Sequence, residues 1–167
     1  MELPVVLQLI STTAIVGAVV FAGMQWRASR LQRAHTSEVL LLRSFDAPEF
    51  TQAMRLILAL PDGLSKQEVE SRFRNQDHLL WYWIGAMESI GILVHHREID
   101  LRVVDDSFGG PTLLTWRKLH RYVDEVRADL KRDTMMEWYQ WLAEHLEELE
   151  RTEGRVAAYV RERDWKP

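Results

Sequence analysis

The chain has 167 residues, 47% hydrophobic and 28% charged, with 21 basic against 25 acidic side chains and a formal net charge of −4. That length fits one domain with one core and leaves no room for a separate cofactor module. The net acidic balance argues against a nucleic-acid partner, and the absence of cysteine excludes disulfides, thiolate nucleophiles, iron–sulfur clusters and cysteine zinc sites.

The charge is unevenly spread. No charged residue lies between Leu3 and Trp26, all 21 Lys and Arg lie at or beyond Arg27, and Glu2 is the only acid before it. As a helix this uncharged run would extend roughly 36 Å, enough for a hydrocarbon core of about 30 Å with some tilt. Residues 1–26 are therefore expected to form a transmembrane anchor, with Ile10, Ile15, Val16, Val19, Val20 and Phe21 as lipid-facing bulk. Trp26 falls at the expected membrane interface, followed at once by Arg27, Arg30 and Arg33. The positive-inside bias then places the N-terminus outside and the C-terminal domain in the cytoplasm. Ala14, Ala18 and Ala22 recur every four residues, a small-residue ridge along which two such helices can associate. The alternative is a signal peptide cleaved after Ala22, releasing a secreted helical domain; the lack of a basic segment before the apolar run counts against it.

Residues 27–45 contain no Gly or Pro and read as a juxtamembrane helix continuing the anchor. Asp46, ahead of Pro48, is the expected cap of a helix ending near Leu60. Pro61-Asp62-Gly63 reads as a turn, and Ser65 to Glu68 has the spacing of a capping box opening a short helix. Asn75 or Asp77 is expected to open an apolar helix through Leu79, Trp83, Met87, Ile90 and Leu93. Leu79 to Val94 is short for a membrane span and carries Glu88 near its middle, so a core helix is expected there. Asp100 should cap a short helix ending at Phe108-Gly109-Gly110, and Pro111 suits the first turn of a long helix through Leu130. Thr134 and Glu137 again have capping-box spacing, ahead of Trp138, Trp141, Leu142 and Leu146. Residues 151–167 form a charged tail with a sparse apolar stripe, possible as a further helix. No alternating strand pattern occurs. The expected fold class is all-α: one N-terminal transmembrane helix continuing into a cytoplasmic bundle of about five to six helices, the helical domain spanning residues 46–150.

Several stretches carry a resemblance. The sequence FAGMQWR at the end of the apolar run, SFDAPEFTQAMRLILALPDG, AMESIGILVHHREIDLRVVDDSFGG, TWRKLHRYV and EWYQWLAEHLEE together resemble a bacterial family, domain of unknown function 4760. The most specific positions are Glu88, Gly91, Ile99 and Asp100, then Phe108, Gly109, Gly110 and Trp116, then Glu137, Trp138, Trp141 and Leu142. The resemblance implies a membrane-anchored helical bacterial protein, and with the basic flank after Trp26 the expected location is the bacterial inner membrane. It carries no activity with it, and the roles of Gly91, Asp100, Gly109, Gly110, Trp116, Glu137 and Trp141 are not implied by it.

Chemical signatures are few. There is no His-Glu-x-x-His, no phosphate loop after Gly109-Gly110, and no Gly-x-Ser-x-Gly elbow. His95 and His96, with Glu98 and Asp100, are the closest approach to a metal-ligand set, and they read as a polar interhelical loop. His120 and Asp124, four residues apart, read as a side-chain pair, and Asp105-Asp106 as a solvated helix face. Glu88 stands out on an apolar helix, where a carboxylate needs a partner; a buried ion pair with Arg55 or Arg117 is the expectation. Trp81, Tyr82, Trp83, Trp116, Trp138, Tyr139 and Trp141 exceed what a small bundle easily buries, and aromatics left exposed favour partner surfaces. The expected role is a non-enzymatic interaction module that binds the lipid bilayer and holds a protein partner or a second copy, with no cofactor and no nucleic acid. The alternative is a ligand or metal sensor, or an enzyme, with a site near Glu88, His95, His96 and Asp100.

Overall fold

The computed structural model describes residues 47–154 and 156–166. The anchor residues Ala14, Ala18, Ala22, Trp26, Arg27, Arg30 and Arg33, the juxtamembrane stretch and Asp46 lie outside the described residues. Within them the protein is all-helical, and no helix there is long and apolar enough to cross a membrane.

The first helix, α1 (Pro48–Leu58), begins where proline's fixed φ and missing N–H suit a helix start. Its cap position is Ala47, which makes no side-chain bond, and it ends two residues before the expected Leu60. Gly63 adopts a left-handed φ of 70°, closing the Pro61-Asp62-Gly63 turn in a conformation that favours glycine. Helix α2 (Lys66–Phe73) opens on the expected capping box: the Ser65 side chain accepts from the Glu68 N–H, and Glu68 accepts from the Ser65 N–H at 2.8 Å. These bonds hold the Glu68 carboxyl below its ordinary value.

Helix α3 (Asp77–His95) is the axis of the bundle, packing most extensively on α6 (Glu137–Glu153) and also on α1 and α2. Gln76 occupies its cap position without a side-chain bond; Asp77 sits inside the first turn, where a carboxylate faces the positive end of the helix dipole. The helix thus opens at Asp77, one of the two residues expected to open it. The expected core helix is confirmed: Leu79, Leu80, Trp83, Ile84, Met87, Ile90 and Val94 are buried. Asp100 caps the short α4 (Leu101–Val104), accepting from the Arg102 N–H at 2.8 Å. A wider turn, Asp105–Gly109, kinked at Phe108 where the backbone leaves helical geometry (φ −158°, ψ 24°), then leads to α5 (Gly110–Leu130), with Pro111 in its first turn as expected. After α6 only a four-residue helix, α7 (Ala158–Arg161), remains, and the described tail residues around it are exposed.

One core joins all the longer helices: Ile57 from α1, Val69 from α2, Trp83 and Met87 from α3, Leu119 and Val123 from α5, Leu142 and Leu146 from α6. Each fully buried aliphatic side chain of this kind contributes about 1.5–3 kcal/mol. Phe50 lies against Trp83 with ring centroids 4.9 Å apart. Polar ties fasten α2 and the turn before it to α5: Lys66 N–H donates to Glu125 Oε2 at 2.7 Å, Arg121 donates to the Gly63 carbonyl at 2.9 Å, and Lys118 pairs with Asp62 at 2.6 Å. The Lys118 ammonium holds the Asp62 carboxyl below its ordinary value.

Candidate functional site

The residues that carry the resemblance converge where α3 crosses the start of α6. Helix α6 does not begin at a Thr134–Glu137 capping box. Met136 occupies the cap position with a left-handed φ of 58° and offers no side-chain acceptor, while Thr134 instead accepts from Arg132 at 3.3 Å. Helix starts leave main-chain N–H groups without intrahelical partners. Here the acceptor comes from another helix: Tyr139 N–H donates to Glu88 Oε1 at 2.6 Å, and the Trp138 N–H also favours the charged carboxylate. Glu88 thus acts as a long-range cap, its negative charge at the positive end of α6.

This corrects the expected ion pair. Neither Arg55 nor Arg117 forms a salt bridge with Glu88 among the described residues, because two main-chain donors already meet its carboxylate and it is only half-buried. Burial nevertheless outweighs these donors and raises the Glu88 carboxyl above its ordinary value; Glu137 pushes in the same direction and Arg127 opposes it. Gly91, one turn further along α3, makes the approach possible. A Cβ there would overlap the Trp138 carbonyl oxygen and come within 2.9 Å of its carbonyl carbon, so only glycine lets the two backbones meet.

A second device holds the loop before α6. Arg127, near the end of α5, donates to the Met135 carbonyl at 2.8 Å, to Gln140 Oε1 at 2.6 Å and to the Met136 carbonyl at 3.3 Å. The guanidinium fork thereby fixes the turn that aims α6 at Glu88. Inside, a closed polar chain ties three helices together. Trp83 Nε1–H donates to the Tyr139 hydroxyl at 3.1 Å, the Tyr139 and Thr115 hydroxyls lie 2.7 Å apart, and Thr115 donates back to the Pro111 carbonyl at 2.7 Å. Trp116 packs edge-on against the Tyr139 ring, centroids 5.1 Å apart. Burial drives the Tyr139 phenol far above its ordinary value, so it remains a neutral donor. Arg127, Thr115 and Tyr139 were not singled out as polar partners in the sequence, since neither distant carbonyls nor the facing hydroxyl have a local signature.

The remaining candidates separate. Gly109 sits under the Asp105 carboxylate, where a Cβ would overlap Asp105 Oδ1; Asp105 is half-buried in this kinked turn, and of the pair Asp106 alone lies on an exposed face. Gly110 opens α5. His120 bonds the Arg117 carbonyl at 2.9 Å and Asp124 lies 3.7 Å from Arg127, so the expected His120–Asp124 pair does not form. The His95 ring lies against Trp138 and Trp141, with centroids 4.7 and 5.5 Å away, and Trp141 stacks on His145 at 4.0 Å. His96 meets the edge of His95, at 5.4 Å between centroids. With Asp100 engaged at α4 and Glu88 at α6, no group of three or more His, Asp or Glu is assembled for a metal among the described residues. What the Glu88 junction does chemically is to clamp helices.

No curated protein matches the chain, and no solved structure does. The family model described as Domain of unknown function (DUF4760) matches residues 11–146, a region that includes the Glu88–Gly91–Trp138 junction and reaches into the uncharged N-terminal stretch. The chain belongs to that family.

Proposed function

We propose that the chain is a membrane-anchored helical interaction protein that holds a protein partner, or further copies of itself, at the cytoplasmic face of a bacterial inner membrane. The observation that carries this reading is the uncharged run from Leu3 to Trp26, followed directly by Arg27, Arg30 and Arg33. An apolar stretch of this length suits a bilayer core, and basic residues at one flank set that flank on the cytoplasmic side. The three arginines also meet anionic lipid headgroups, each contributing about 1 kcal/mol near the surface. The way Glu88, Gly91, Trp138 and Tyr139 are engaged in joining α3 to α6 supports a role for the domain as a rigid surface.

Alkaline extraction of membranes, paired with proteolysis from the outer side of intact spheroplasts, tests this reading. The chain is expected in the membrane pellet, with the helical domain protected from outside protease. Recovery in the soluble fraction, or a mature N-terminus just after Ala22, would overturn it.

A further inference from the structure

The short tail helix α7 is seated the wrong way round for a helix that belongs to the core. Ala157, at its cap position, lines a cleft together with Ala158, Arg161, Asp105, Asp106 and Glu153. The carboxylates of Glu162, Asp106 and Glu153 hold the Arg161 guanidinium above its ordinary value. Away from the cleft, Tyr159 is 80% exposed and Val160 44%, and Trp165 just beyond the helix is 69% exposed. Amphipathic helices bury their large apolar residues and turn polar ones to water. Here small residues and a charge face inward while the large apolar side chains face out, so packing within the described chain does not account for Tyr159, Val160 and Trp165.

Charge and position point the same way. Residues 155–167 hold Arg155, Arg161, Arg163 and Lys166 against Glu162 and Asp164, net +2, whereas the 154 residues before them hold 17 basic and 23 acidic side chains, net −6. Arg163 and Lys166, on either side of Trp165 in the chain, are both exposed. The tail also adjoins the end of the bundle at which α1 begins. Phe108, in the same Asp105–Gly109 turn that walls the cleft, meets Phe50 in the first turn of α1 edge-on, with ring centroids 6.4 Å apart. Fourteen residues separate Arg33 from Ala47, at most about 50 Å of chain when fully extended. An anchor ending at Trp26 therefore keeps this end of the bundle, and the tail on it, within reach of lipid headgroups.

We infer that the tail around α7 is a second membrane contact, in which Tyr159, Val160 and Trp165 enter the interface of an anionic bilayer and Arg163 and Lys166 meet its acidic headgroups. Trp and Tyr favour the headgroup level, and each basic residue near an anionic surface strengthens binding roughly fivefold. A bilayer interface offers an apolar layer and negative charge within the depth of one side chain, which suits a segment where the two alternate. So short a segment is effective because the anchor holds it at high local concentration over the lipid. To that extent the inference rests on the membrane-anchored reading.

The chain contains no cysteine, so a single Val160→Cys carries one environment-sensitive fluorophore. Full-length protein labelled there, or at Asp124→Cys as an exposed control on α5, is reconstituted into vesicles of phosphatidylcholine alone or mixed with phosphatidylglycerol, with spin-labelled lipid as quencher. In the anionic vesicles the Val160 probe is expected to be quenched at least about fivefold more than the control. Adding Arg163→Glu and Lys166→Glu should return it to the control level, with circular dichroism unchanged. Equal quenching of probe and control, or quenching indifferent to phosphatidylglycerol and to charge reversal, would overturn the inference. So would a Val160 probe shielded in native membranes but not in vesicles holding no other protein, which would indicate a protein partner instead. Flotation of the same vesicles separates the two readings. A chain that floats with phosphatidylcholine while Val160 stays unquenched in anionic vesicles removes only the tail contact. A chain that floats only with anionic vesicles, and loses this on charge reversal, removes only the anchor.

Discussion

Two glycines on one helix give opposite expectations. Gly91→Ala places a methyl carbon against the Trp138 carbonyl oxygen and within 2.9 Å of the carbonyl carbon, which are backbone atoms of α6 and cannot rotate away. Relief requires α3 and α6 to separate, which also lengthens the 2.6 Å bond from Tyr139 N–H to Glu88. Overpacking of this kind costs about 1–3 kcal/mol. Weakening a hydrogen bond to a charged acceptor adds about 1 kcal/mol at this half-buried position. The alanine recovers about 1 kcal/mol of helix propensity, leaving a net destabilisation of about 1–3 kcal/mol. Gly85→Ala carries the same propensity gain with no overlap, because nothing lies within 4 Å of the added carbon. It should stabilise by about 0.5–1 kcal/mol. Thermal unfolding of the full chain in dilute mild detergent, followed by tryptophan fluorescence, compares them directly. Gly91→Ala should melt several degrees below the parent and Gly85→Ala slightly above it. A Gly91→Ala protein as stable as Gly85→Ala would refute the close approach of α3 and α6.

Glu88 has a pH signature. Burial raises its folded-state carboxyl above the ordinary value, so its contribution is fully present at pH below the unfolded value and is lost as pH rises through the raised folded one. Relative to Glu88→Gln, the parent should therefore lose stability across that rise, and a melting-temperature difference that moves the other way would contradict the assignment. Tyr139→Phe removes the hydroxyl that Trp83 Nε1–H and Thr115 meet and leaves a buried donor unsatisfied, for a cost of about 1–3 kcal/mol; unchanged chemical denaturation would show the chain Trp83–Tyr139–Thr115 to be idle. Ser65→Ala deletes the α2 cap and should cost about 1 kcal/mol, with Ser65→Asp largely restoring it in the same melting assay.

Local signals were legible wherever their physics is local. The Ser65–Glu68 box, the Asp100 cap, the Gly63 turn and Pro111 in the first turn of α5 all stand as the sequence indicates. Each depends on residues within one turn of chain. The failures share the opposite property. Thr134 and Glu137 have correct capping-box spacing, but Met136 takes the cap position and Glu88, from a helix far away in sequence, supplies the acceptor. Glu88 was recognisable as an odd carboxylate on an apolar helix, yet its partner was expected to be an arginine because charge pairing is the only partnership visible in composition. The aromatic set behaves the same way. Trp83 and Tyr139 are buried and hydrogen-bonded together while Trp81 and Tyr82 are exposed, a division set by which side of α3 meets α1 and α6.

The sequence by itself thus determined the helical class, most helix boundaries and the uneven charge, with an uncharged run ahead of Arg27 and a mixed, well-charged body after it. Periodicity, caps and breakers act over a few residues, and hydropathy acts over one helix length. Only the tertiary structure decided what Glu88, Gly91, Arg127 and Tyr139 do. Their partners are main-chain amides, carbonyls and hydroxyls on other helices, and such groups are common to every residue or silent in a linear pattern until the helices pack.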